Sequence, residues 1–119
     1  MGNFMRESME EALRSIASMI ERSEKAQEKF TQGTSQYTLQ KNRIKALYIA
    51  SSLIKNELAE PNAMAKYTKE DMEKALAPIV SLISKSEKAQ KKLSQDTWQH
   101  RMLTDNLNAL YIALTLLQR

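Results

Sequence analysis

The sequence predicts an all-α protein, an up-down-up-down four-helix bundle built from two tandem helical hairpins. Three observations carry this. The 119 residues include only two glycines and two prolines, too few to punctuate the turns of a β-sandwich or barrel. Apolar residues recur at three-and-four spacing through four long stretches. The chain also repeats itself: at an offset of 63, positions 9–56 align with 72–119 without a gap, and 22 of the 48 pairs are identical. Two runs hold many of the identities. Ser23-Glu24-Lys25-Ala26-Gln27 returns as Ser86-Glu87-Lys88-Ala89-Gln90, and Ala46-Leu47-Tyr48-Ile49-Ala50 as Ala109-Leu110-Tyr111-Ile112-Ala113, whereas 37–45 and 100–108 share no identity. A single domain over 1–119 follows, with repeat units at about 5–60 and 68–119 and a linker at about 60–67.

In the first helix Met5, Met9, Leu13, Ile16, Ile20, Ser23, Gln27 and Phe30 share one face. Gln32-Gly33-Thr34 stops it: glycine suits the left-handed position after a helix end, and Thr34 can cap the next helix by accepting a backbone N–H. The second helix carries two adjacent stripes, Ile44, Leu47, Ser51, Ile54 and Leu58 beside Ala46, Ile49, Ala50 and Leu53, and Pro61-Asn62 ends it. Thr68-Lys69-Glu70-Asp71 reads as a capping box that opens the third helix, whose face is Met72, Leu76, Ile79, Ile83, Ser86, Gln90 and Leu93. Pro78 should kink or split that helix near Lys74 to Ala77. Asp96 or Thr97 starts the fourth helix, with Leu103, Leu107, Leu110, Leu114 and Leu117. Short loops make neighbouring helices antiparallel, so the first and third lie on a diagonal.

Composition narrows the chemistry. With no cysteine and one histidine, the chain lacks a disulfide framework, a thiol nucleophile and the ligands of ordinary zinc sites. No Gly-rich phosphate loop, Gly-x-Ser-x-Gly elbow or His-Glu-x-x-His motif is present, so no catalytic residues, cofactor or metal are expected. Glu7, Glu10 and Glu11, like Glu70, Asp71 and Glu73, sit in first turns, where negative charge favours the helix dipole. A di-metal bundle would need Glu-x-x-His pairs, and there are none. His100 reads as a rim residue. Residues 1–7 have no apolar signal run, and the apolar stretch 107–117 is about half the roughly 20 residues of a membrane span, so a cytoplasmic protein without a membrane partner is expected.

Three sets of residues are candidate sites. The double stripes of the second and fourth helices either pack centrally or cover another chain; the second option makes Ile49, Leu53, Ile112 and Leu116 an interaction face for a protein partner or a homodimer. Ser23, Gln27, Ser86 and Gln90 fall on inward stripes, as a buried polar layer that fixes register or as a small polar pocket. Residues 22–45 carry a net charge of +4 and 85–108 a net of +2, against +4 for the whole chain, so the end holding both hairpin loops is basic and the rest mildly acidic. Lys25, Lys29, Lys41, Arg43, Lys88, Lys92 and Arg101 there could neutralise an anion, with Trp98 stacking, as in single-stranded nucleic-acid binders. The plain alternative is a solvated face helped by pairs such as Glu21–Lys25. The leading expectation is a protein–protein interaction module, with nucleic-acid or polyanion binding at the loop end as the alternative.

Overall fold

The computed structural model describes residues 5–60 and 62–119. It contains four helices, α1 (Arg6–Gln27), α2 (Ser35–Glu57), α3 (Lys69–Lys91) and α4 (Trp98–Leu117), and no strand among the described residues. The two hairpins, α1–α2 and α3–α4, pack into a four-helix bundle. Three threonines open helices: the hydroxyl oxygens of Thr34, Thr68 and Thr97 accept from the backbone N–H groups of Tyr37, Asp71 and His100. At Thr68 the capping box closes, because the Asp71 carboxylate accepts from the Thr68 N–H at 2.9 Å. That bond, and then the one from Lys45, holds the Asp71 carboxyl below its ordinary pKa.

Gly33 has φ +89°, the left-handed conformation its loop needs. The matching position in the second hairpin is Asp96, yet both loops tie themselves alike: Thr34 donates its hydroxyl to the Thr31 carbonyl at 2.7 Å, and Thr97 donates to Ser94 at 2.8 Å. Helix α2 ends at Glu57, before the expected stop; Pro61 lies outside the described residues. What ends it is a Schellman motif, in which the Glu60 N–H reaches the Lys55 carbonyl and the Ala59 N–H the Asn56 carbonyl, with Ala59 left-handed at φ 65°. An alanine there is strained. Ala59→Gly is therefore expected to raise unfolding free energy by about 1 kcal/mol in a urea titration, with no change in helix content.

The backbones of α1 and α3 do not approach one another closely, whereas α2 and α4 meet across the diagonal and each also packs on both of the others. This is why their apolar stripes are double. Each central helix has three neighbours to satisfy, and Ala46, Ala50, Ala109 and Ala113, all buried, leave room for close approach. The expected interaction face is thereby corrected: Ile49, Ile112 and Leu116 are buried inside one bundle and Leu53 is half-buried against the same core, so the four form no continuous exposed face.

The polar layer is corrected too. Ser23, Gln27, Ser86 and Gln90 are only half-buried, because α1 and α3 stay apart and nothing closes over them from the diagonal. Among the described residues the buried polar ones are Gln40 and Asn106 instead. Gln40 donates to the Ser23 carbonyl at 3.0 Å, tying α2 to α1. In the second hairpin the donor sits on the other helix: Gln90 of α3 bonds the Thr104 hydroxyl of α4 at 2.5 Å. A further expectation fails at Met5, and of the kink or split expected at Pro78 the split is absent. Met5 is 70% exposed, since it is the N-cap of α1 and precedes the packed turns. Pro78 does not split α3, which runs unbroken from Lys69 to Lys91, with Ala75, Ile79 and Ile83 anchoring both sides of the lost backbone bond in the core.

Candidate functional site

Both hairpin loops lie at one end of the bundle, which gathers the C-termini of α1 and α3 and the N-termini of α2 and α4. Of the cations expected there, Lys25, Lys29, Lys41, Lys88, Lys92 and Arg101 are exposed, and Arg43 is half-buried. Lys25 makes the anticipated pair with Glu21, at 3.5 Å with both side chains largely exposed, a geometry worth little. Arg43 donates to the Gln40 amide oxygen at 3.3 Å, and burial lowers its guanidinium pKa from the ordinary value. Lys29, Lys41, Lys88, Lys92 and Arg101 make no ion pair among the described residues.

Two aromatic rings accompany these charges. Trp98, the first residue of α4, is 63% exposed, and Phe30 in the first loop is 39% exposed, so neither plugs the core. Tyr37 and His100, aligned in the repeat, are half-buried, and the His100 backbone is engaged on both sides, its N–H with Thr97 and its carbonyl with Gln90 and Thr104.

One link joins the two repeated runs within each hairpin. In the first hairpin the Tyr48 hydroxyl donates to the Glu24 carboxylate at 2.8 Å; in the second, Tyr111 donates to Glu87. Tyrosine comes from one run and glutamate from the other. The carboxylate acceptor raises both phenol pKa values above normal, because ionising the hydroxyl would destroy the bond and set two negative charges together. These are exposed struts between neighbouring helices.

Two grooves flank the bundle. One, of roughly 590 Å³, runs between α1 and α4; the other, of roughly 580 Å³, runs between α2 and α3. All the residues lining the second are the 63-residue equivalents of residues lining the first, so the duplication made the groove twice. The floors match: Ala12, Ala109 and Ile112 correspond to Ala75, Ala46 and Ile49. The rims differ. Lys45 and Asp71 pair at 3.0 Å between α2 and α3, where the other groove has Asn108 and Ser8. The sequence signal was present in the stretch without identity, 37–45 against 100–108, which supplies the differing rim residues of α2 and α4.

Among the described residues no group of three or more His, Asp or Glu side chains is placed to hold a metal ion, and no helix is long and apolar enough to cross a membrane. No family model matches the chain, and no curated protein or solved structure is significantly similar to it.

Proposed function

We propose that this protein is a non-catalytic interaction module that works through its basic hairpin-loop end, and that the partner there is an acidic segment of another protein. The observation that carries the reading is Trp98, largely exposed on the first turn of α4, one turn from Arg101 and close in sequence to Lys92. Tryptophan and arginine are the residue types that most often dominate binding energy at protein interfaces, and cations without carboxylate partners favour an anionic counterpart. Self-association through Ile49, Leu53, Ile112 and Leu116 loses its support, because those side chains serve the core.

A second reading is single-stranded nucleic acid. It is favoured by the two exposed rings, Trp98 and Phe30, one at each hairpin, beside cations that could follow a phosphate backbone. Trp98 is the only tryptophan, so its fluorescence reports from the site itself. At low salt, poly-glutamate is expected to shift and quench that emission, with the change reversed by added salt. Anisotropy of the labelled polymer should show at least a tenfold loss of affinity in Trp98→Ala. A response to oligothymidylate alone would hand the site to the nucleic-acid reading, and no response to either polymer would remove the loop end as a binding site.

A further inference from the structure

We infer that the groove between α1 and α4 binds a short extended segment of peptide from a partner protein, with a backbone amide of that segment paired to Asn106. Asn106 is 6% exposed, lines the groove, and its side chain makes no hydrogen bond among the described residues. It is the one polar residue among the buried positions of α4, which are otherwise leucine, isoleucine and alanine. No side-chain nitrogen or oxygen among the described residues is fully enclosed without a partner, so the Asn106 amide keeps its access through the groove. A leucine there would add to the core at no polar cost, so an asparagine that supports no neighbour calls for a role outside the bundle.

The duplication supplies an internal comparison. On α2 the equivalent of Asn106 is Arg43, which does not line the α2–α3 groove and donates to Gln40, and in that groove the Lys45–Asp71 pair bridges the two helices. In the α1–α4 groove both devices are gone. Arg14, Glu11 and Asp105 on its rim make no ion pair among the described residues. One copy of the groove is spanned by its own charges while the other offers an amide and charges of both signs.

The amide indicates the class of occupant. An asparagine side chain presents a carbonyl acceptor beside N–H donors, a pattern that another amide answers with its own N–H and carbonyl. Peptide backbone offers such amides repeatedly, and the unpaired rim charges can take side chains of either sign. The lining of α1 runs from Ser8 to Ser18, about 15 Å at the helical rise, which matches four or five extended residues.

The test is to pan a displayed library of seven-residue peptides on the full chain, synthesise the recovered peptide with capped ends, and titrate it calorimetrically. Asn106→Leu is expected to keep the helix content and thermal midpoint at or above those of the parent while weakening the peptide at least tenfold. Asn42→Leu, in the other groove, should change affinity less than twofold, and N-methylation of a central backbone amide of the peptide should abolish binding. If Asn106→Leu does not fold, Asn106→Ala carries the same expected tenfold loss. Trp98→Ala should leave the peptide affinity unchanged, which separates this site from the loop end. A library that yields no binder above background, or a binder indifferent to the Asn106 variants or to N-methylation, overturns the inference.

Discussion

Truncating Leu110 to alanine is expected to destabilise the protein by about 2–5 kcal/mol, the range for removing a fully buried leucine from a packed core. Leu110 and its repeat equivalent Leu47 are both 0% exposed, and they lie on the two helices that meet across the diagonal. A cavity there is walled by several helices at once, so little local collapse can relieve it. Domains of this size hold roughly 5–15 kcal/mol in total, so the loss takes a large share and should appear as a displaced urea midpoint with an unchanged slope. Leu47→Ala should behave the same way. Leu76, identical in the repeat to Leu13 but 37% exposed, should cost roughly 1 kcal/mol or less when truncated, because less apolar area is lost. Equal losses at Leu76 and Leu110 would contradict the central role given to α2 and α4.

The largest functional effect should come from neutralising Lys29, Lys41, Lys88, Lys92 and Arg101 together to glutamine. None has an ion-pair partner to strand among the described residues, so the fold should keep its thermal midpoint. Binding should change sharply. If each cation displaces a counterion from single-stranded nucleic acid, the slope of log affinity on log salt falls by about 0.7 per residue, or about 3.5 for five. A fall of that size in slope means that the parent loses roughly a hundredfold more affinity than the variant between 50 and 200 mM salt. Affinity measured by anisotropy across that salt series is the check, and a variant whose salt slope matches the parent would place the binding charges elsewhere.

The repeat, the hairpins and the threonine caps were legible because each is a local matter: Thr34, Thr68 and Thr97 act on N–H groups three residues away. The double stripes were legible as a pattern but not in their destination. Periodicity places Ile49 and Ile112 on a second face; only the diagonal contact of α2 with α4 shows that the face belongs to the core of the same bundle. Ser23 and Gln27 share a phase with Ile16 and Ile20, yet burial requires an element opposite, and near the loop end α1 and α3 leave that side half-open. Gln40 carried no signal of its own, since its burial depends on the Ser23 carbonyl of the neighbouring helix. Asn106 lay within the stretch where the two units differ, and the consequence of that difference emerged only when both grooves could be compared.

The central claim is that the hairpin-loop end, with its unpaired cations and exposed Trp98, is the surface that meets an anionic partner. Amide chemical-shift mapping of the full-length labelled protein against poly-glutamate at low salt tests it most directly. The account predicts shifts concentrated at residues 29–41 and 92–101, fading as salt rises. Shifts centred on the opposite end, near residues 57 and 119, or no shifts at low salt, would contradict it.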